Sequence, residues 1–383
     1  MLRILKRLGL GLLALIVLAL LAAYLARPVA TTRLLGLPFG GSQGPTELVR
    51  GGPVPPLLVA SAAQRSIPAP VLDATSKAAA ETGAWSLLIW QGGALQLEQY
   101  YGDHDAQSVV STQSMHKSVL ALLVGIAIEH GLIGSVDDPA AKYLEEWAGD
   151  ARRNITIRQM LQQSSGIDFP AFPAVIDMTI GDKLEQITFE QGVLAPPGTQ
   201  FDYTNINPEV LGLLLERVSG MSYAEYLSKN LWQYISDDDA TVLLDTETTR
   251  TPRTFCCLDT TARAWLRVGL LHLEHGRVGE RQVVPEQWMR DVVTPSERNP
   301  NYGYLTWLGT TYQKDRRYNR KSAAAAFHSE PFAAPDVIYF DGFGGQRVYI
   351  VPSKQLVIVS TGPLRQDWDD ALLPNIIIRG MGD

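Results

Sequence analysis

The chain has 383 residues, 46% hydrophobic and 19% charged, a globular balance long enough for two packed layers around a sizeable core. Its net charge is −7, but residues 1–33 hold five basic and no acidic side chains, so the remainder carries 28 basic against 40 acidic, a net of −12. An acidic body argues against a nucleic-acid partner, and the only two cysteines, Cys256 and Cys257, offer no four-ligand metal site.

Arg3, Lys6 and Arg7 precede an unbroken apolar run from Leu8 to Ala26. A run of about 20 apolar residues spans a bilayer, and a positive start stays on the inner side. Residues 1–27 are therefore expected to be an inner-membrane anchor that places the catalytic domain in the periplasm or outside the cell. Secretion after signal cleavage near Ala23 or Ala26 is the alternative, though that site is mediocre. No cysteine follows the run to serve as a bacterial lipoprotein anchor. Residues 28–68, rich in Pro, Gly and small side chains, read as a tether, and 69–383 as the catalytic domain. Inside the tether, Gly40-Gly41-Ser42-Gln43-Gly44 spells G-x-S-x-G. That nucleophile elbow needs a buried strand before it and a helix after it, and the Leu-Pro-Phe and Pro-Thr-Glu flanks supply neither.

Further on, SLLIW (86–90) and ALQLEQYY (94–101) flank a QGG turn and read as a hairpin; RVYIVP (347–352) and QLVIVSTG (355–362) read as another. Between them, periodicity predicts helices over 115–130, 137–148, 156–163, 208–218, 222–234, 260–275 and 285–292. Strands at both ends of a helical middle predict an α+β fold: an antiparallel sheet flanked by helices, with an inserted all-helical subdomain, preceded by the N-terminal transmembrane helix. The adjacent cysteines are expected to be small buried residues, because their spacing strains a mutual disulfide.

Three short motifs carry chemistry. In STQSMHKSVLALLVGIAIEHG, Ser114 opens an apolar helix that ends at Gly131, a C-cap position, and Lys117 follows one turn later. Such a serine is commonly only a cap. However, residues three apart share a helix face, so the Lys117 amine reaches Ser114 Oγ. The helix N-terminus adds positive potential, and apolar surroundings lower a lysine's pKa until its neutral amine can act as a base. Eighty-nine residues later, Tyr203-Thr204-Asn205 lies in a polar turn before an amphipathic helix. A phenol whose pKa is lowered by nearby cations can carry a proton, and an adjacent amide can hold a substrate carbonyl. Finally, in FDGFGGQRVYIVP the glycines Gly342, Gly344 and Gly345 precede a strand and allow close approach to its edge.

In this order the three motifs resemble the penicillin-recognising serine hydrolases, in the branch of class C β-lactamases, family VIII esterases and 6-aminohexanoate-dimer hydrolases. ITIRQMLQQSSGIDF, PPGTQFDYTN, LDTTARAWLRVGLLHLEHGRV, VVPEQWM and YGYLTWL look like family segments in family order, over roughly residues 75–375. The resemblance implies Ser114 as the acylated serine, Lys117 as its partner, Tyr203 as general base and Asn205 as the amide beside it. It also implies an oxyanion hole from the backbone N–H groups of Ser114 and Gln346, with no metal or cofactor. Where the family's third motif usually starts with Lys or His, this chain has Phe343 before Gly344-Gly345. A phenyl ring cannot bind a substrate carboxylate, so small esters or amides with an apolar acyl part are the expected substrates. The alternatives are a D,D-peptidase or β-lactamase, or a non-catalytic binding module.

Trp307 is a candidate pocket wall. The five cations of YQKDRRYNRKS (312–322) read as a solvated loop. His116 points off the Ser114 face and is expected to pack, His272 and His275 lack a third zinc ligand nearby, and His328 lies in the loop leading to Phe343. Oligomeric state is not legible.

Overall fold

The computed structural model describes residues 2–36, 43–168, 172–322 and 324–382. The chain opens with α1 (Leu2–Ala26) and α2 (Pro28–Gly36), then β1 (Thr46–Val49), α3 (Ala69–Glu81) and the hairpin β2 (Ser86–Gln91) and β3 (Ala94–Tyr100). β4 (Val110–Ser111) leads to α4 (His116–Glu129). The helical middle is α5 (Ile157–Leu161), α6 (Phe172–Ile180), α7 (Leu184–Glu190), α8 (Ile206–Ser219), α9 (Tyr223–Leu227) and α10 (Gln233–Ile235). Next come β5 (Ala240–Leu243), β6 (Leu258–Thr260), α11 (Ala262–Leu273), the pair β7 (Arg277–Val278) and β8 (Arg281–Gln282), and α12 (Glu286–Val292). The last part comprises β9 (Trp307–Leu308), β10 (Asp315–Arg317), β11 (Ala325–Phe327), β12 (Ile338–Gly342), β13 (Gln346–Val351), β14 (Leu356–Thr361) and α13 (Leu372–Gly380).

The main sheet runs β3-β2-β14-β13-β12-β9, antiparallel throughout, and joins the first and last hairpins of the sequence. Its side chains obey the two-residue period of a strand. Leu88, Val348, Ile350, Val357 and Val359 enter a core with α11 and the helical region, while Leu87, Ile89, Tyr349, Val351 and Ile358 enter a second core with α3 and α13. Both faces are therefore covered, which is why these strands read as continuous apolar runs. A four-stranded sheet, β1-β5-β6-β4, lies beside it. The architecture is the expected α+β arrangement of an antiparallel sheet flanked by helices. Among the described residues one helix segment, Lys6–Ala26, has the length and composition to cross a membrane, with a mean hydropathy of 2.7 and no burial.

Two expectations are corrected here. Part of the tether is built into the fold, because Thr46–Val49 pairs antiparallel with Ala240–Leu243 and α2 packs on α6. Arg33 of α2 donates to Ile180 O and Gly181 O, and Arg27 pairs with Asp177. The span 137–148 is not one helix but two 3-10 turns, Ala140–Lys142 and Glu145–Trp147, separated by Leu144 in an extended conformation. Gly40, Gly41 and Ser42 of the G-x-S-x-G sequence lie outside the described residues.

Candidate active site

The α4 sequence is apolar all round, and its residues from His116 to Ala127 are buried, as expected of a core helix. Gly125 lets the Trp288 ring lie directly against it: a Cβ there would be 2.2 Å from the indole. Ser114 sits in a 3-10 turn, Gln113–Met115, just before α4, and remains partly exposed. Gln113 is held at φ 53°, a left-handed conformation unusual for a side-chain-bearing residue and of the kind found beside reactive groups.

Lys117 is 1% exposed, and its Nζ has three oxygen neighbours: Ser114 Oγ at 2.8 Å, Asn205 Oδ1 at 3.1 Å and Phe255 O at 2.5 Å. Burial lowers its pKa to about 7, with Asp341 and Glu209 pulling the other way. A neutral amine has two N–H donors and one lone pair. With Asn205 Oδ1 and Phe255 O taking the two donors, the lone pair is left for the Ser114 hydroxyl.

Tyr203 hydrogen-bonds Ser114 and lies with its ring face 4.9 Å from Lys117 Nζ. Burial raises the phenol well above its ordinary pKa, and the Ser114 bond offsets this only in part. The expected acidification of Tyr203 by nearby cations is therefore corrected: at neutral pH the phenol keeps its proton. The turn is held by Gln163, whose amide donates to Thr204 O and accepts from Thr204 N and Asn207 Nδ2, while Ser165 Oγ donates to Asn207 Oδ1. Tyr203 N donates to Tyr318 O, and Asn319 Nδ2 donates to Tyr203 O. In the cationic run 312–322, Lys314, Arg317, Arg320 and Lys321 are exposed, as expected of a solvated loop, and Arg316 is the exception. Arg316 is buried against Trp307 and paired with Asp341 and Asp370, Arg320 pairs with Asp202, and Lys321 with Asp168.

The third motif requires a revision. Val337 O accepts from Gly309 N on the β9 side, so by alternation Tyr339, Asp341 and Phe343 present their backbone groups to that edge, and Gly342 presents its own to β13. Gly342 pairs with Gln346, so the Gln346 N–H is taken up by the ladder, and its side-chain amide is bonded to Gly362. Gln346 is therefore not placed as an oxyanion donor. The strand end that abuts the serine turn is β12: a Cβ on Gly342 would lie 2.4 Å from Thr112 O. Phe343 is 45% exposed at the tip of the hairpin. Gly344 and Gly345, at φ 79° and 99°, allow close approach of Leu364 and Trp368 rather than of a ligand. Trp307 is buried, stacked on Tyr203 with centroids 5.8 Å apart, and so backs the tyrosine instead of lining a pocket.

His116 is buried between Cys256 O and the Tyr223 hydroxyl, a packing role. His272 lies edge-on to Phe340, and His328 packs between Tyr312 and Phe332. No group of three or more His, Cys, Asp or Glu among the described residues is placed to hold a metal. Cys256 and Cys257 are buried, but they are joined by a disulfide, contrary to expectation; Cys257 adopts φ 69° to turn the backbone there. Phe255, Gln163 and Glu209 have no counterpart in the sequence reading. Phe255 acts through its carbonyl, which no residue type advertises, and Gln163 and Glu209 each look like an ordinary polar position of a helical pattern.

A Ser–Lys pair at the mouth of a buried helix, met by a tyrosine turn and by one strand of an antiparallel sheet, defines a protein of the β-lactamase/transpeptidase-like fold. The family model described as Beta-lactamase matches residues 72–361, and the chain belongs to that family. It is 28% identical over 236 residues to the 6-aminohexanoate-dimer hydrolase of Paenarthrobacter ureafaciens, a match spanning 57% of this chain and 59% of that protein. Among solved structures it resembles a putative 6-aminohexanoate-dimer hydrolase from Bacillus anthracis (TM-score 0.68, 17% identity, 88% of this chain and 89% of that one). It also resembles a family VIII carboxylesterase (TM-score 0.60, 15% identity, 82% and 98%). At these identities the two structures speak to the fold.

Proposed function

We propose that the protein is a serine hydrolase that cleaves esters or amides of small molecules through an acyl-enzyme on Ser114. The observation that carries this reading is the buried Lys117 amine 2.8 Å from Ser114 Oγ, with its two other acceptors supplied by Asn205 and Phe255. Neutral Lys117 takes the hydroxyl proton as Ser114 Oγ bonds to the substrate carbonyl carbon. Protonated Tyr203 gives its proton to the departing alkoxide or amine and is reprotonated by the Lys117 ammonium. Water then attacks the acyl carbon, its proton passing through Tyr203 to Lys117, and the serine oxygen leaves and recovers a proton. The oxyanion is held by the backbone N–H of Ser114 and, in place of Gln346, by that of Phe343, whose edge of β12 faces the serine turn.

The names of the relatives favour amides and carboxylic esters. The exposed Phe343, with Leu364 (60% exposed) packed beside Gly344, offers an apolar rim for the acyl part and no cation for a substrate carboxylate. An apolar α1 followed by a docked α2 supports a membrane-anchored enzyme, with its catalytic domain outside the inner membrane.

The test is a fluorophosphonate probe applied to the full chain in detergent, with Ser114→Ala as control. Labelling of Ser114 in wild type, absent from the variant, is the expected result; screening of p-nitrophenyl esters, short amides and a cephalosporin then separates esterase or amidase from β-lactamase. An unlabelled, folded wild type would reject the hydrolase in favour of a binding module.

A further inference from the structure

Phe255 is the residue whose carbonyl aims Lys117, and the sheet does not hold it. Arg253 N donates to Leu243 O, and Leu243 N donates to Cys257 O, so a single residue of β5 pins both ends of the segment. Residues 254–256 form a bulge between those two bonds. Inside the bulge, Phe255 O meets Lys117 Nζ and Cys256 O meets His116 Nδ1; both contacts are with α4, and the first is with the reacting lysine itself.

The remaining restraint comes from α8. Glu209, in its first turn, is fully buried, and its Oε2 accepts from Thr254 N at 2.9 Å and from Thr254 Oγ1 at 3.0 Å. Gly212, one turn later on the same helix, lets Thr254 sit flush: a Cβ there would be 2.4 Å from Thr254 Oγ1. A buried carboxyl group is costly, and nothing in the packing of α8 against α4 needs one. Its place is explained by the donors it receives, the N–H of Thr254, the Thr254 hydroxyl that it shares with Pro208 O, and the backbone N–H of Phe255, which together fix the segment carrying the Phe255 carbonyl.

We propose that Glu209 is a positioning residue for the Ser114–Lys117 pair, holding Thr254 so that the Phe255 carbonyl takes one Lys117 N–H and the amine lone pair faces Ser114. This inference rests on the serine-hydrolase reading of the site. The charged and titratable groups around Glu209 are Lys117 from α4, Glu216 from its own helix, Tyr223 from α9 and Arg253 from the segment between β5 and β6. Burial raises the Glu209 pKa to about 8, so near pH 7, where Lys117 titrates, the carboxyl group is mostly protonated. A neutral amide in its place keeps an oxygen acceptor for Thr254 and changes the charge little at that pH, so the lysine should titrate much as in the wild type, whereas a leucine leaves Thr254 unheld.

The test compares wild type, Glu209→Gln and Glu209→Leu as full chains in detergent. It follows the rate of fluorophosphonate labelling at Ser114 from pH 5 to 9, together with the side-chain NMR titration of Lys117, assigned with Lys117→Arg. Glu209→Gln is expected to label within about threefold of wild type, with its acid limb and the Lys117 titration close to those of wild type. Glu209→Leu is expected to label on the order of 10–100-fold more slowly, the cost of misplacing a reacting group. Wild-type labelling by Glu209→Leu, or labelling by Glu209→Gln as slow as that of Glu209→Leu, overturns the proposal. If Glu209→Leu fails to fold, Thr254→Val, which removes the hydroxyl donor, takes its place: slower labelling than wild type is expected, and wild-type labelling overturns the proposal. The Lys117 titration needs no substrate. A wild type that does not label, with the Lys117 titration of Glu209→Leu displaced from that of wild type, would reject the hydrolase reading and leave the positioning role standing.

Discussion

Lys117 determines what Ser114 can do, because an ammonium there would offer the serine a proton instead of removing one. Burial is the dominant cause of its lowered pKa, so neutral pH already finds a substantial share of the free amine. Acylation should therefore rise with pH through about 7 and level off above it, since the active form is the deprotonated one; the rate of probe labelling against pH reads this directly. Lys117→Ala should lower that rate by about 10²–10⁴-fold, the usual share of a general base, with the fold retained by circular dichroism. Tyr203 is the opposite case: its phenol is pushed up by burial, so no second limb from tyrosinate formation should appear below pH 9. Ser114, Lys117, Tyr203 and Asn205 were legible as types at motif spacing, and the structure brings all four together. The lowered pKa of Lys117 was legible from its apolar surroundings, but the raised pKa of Tyr203 was not, because the residues that bury that phenol, such as Trp307 and Tyr318, are distant in sequence.

At the scale of elements, α8 and the segment before β6 meet closely because a side chain is absent. Gly212 lies against Thr254, which is itself buried and β-branched, with little freedom to move away. Gly212→Ala should cost about 1–3 kcal/mol by overpacking, measured by chemical denaturation, and should also slow labelling of Ser114 by displacing Phe255. Helix positions followed apolar periodicity well: 208–218 became Ile206–Ser219, and 260–275 became Ala262–Leu273. Periodicity failed at 137–148, where Pro139 and an extended Leu144 break the backbone although the apolar spacing persists. Within 312–322 the solvated reading holds for four of the five cations and fails for Arg316, which is buried because Asp341 and Asp370 lie opposite it.

Across the whole molecule, a ring of four buried charges joins distant parts of the chain: Arg316 on β10, Asp341 on β12, Arg347 on β13 and Asp370 before α13. Removing Asp370 leaves two buried arginines to share the single carboxylate of Asp341 in the core. Asp370→Asn should therefore destabilise by about 3–5 kcal/mol, seen as a lower denaturant midpoint, and should loosen the β10–β11 hairpin that backs Tyr203. The α+β class, the two terminal hairpins and the Ser114–Lys117 pair followed from the sequence, because they are written in local spacing, two residues for a strand and three or four for a helix face; the family and the place of Tyr203 followed from the resemblance of its motifs. Three features followed from tertiary structure alone. The strand edge that meets the serine is that of β12 and not the backbone of Gln346, since ladder parity is known only once partners are known. Cys256 and Cys257 join because the bulge turns the backbone between them. The lysine is aimed by a carbonyl and a buried carboxyl group, and neither leaves a local pattern, because what they do depends on which distant segment folds against them.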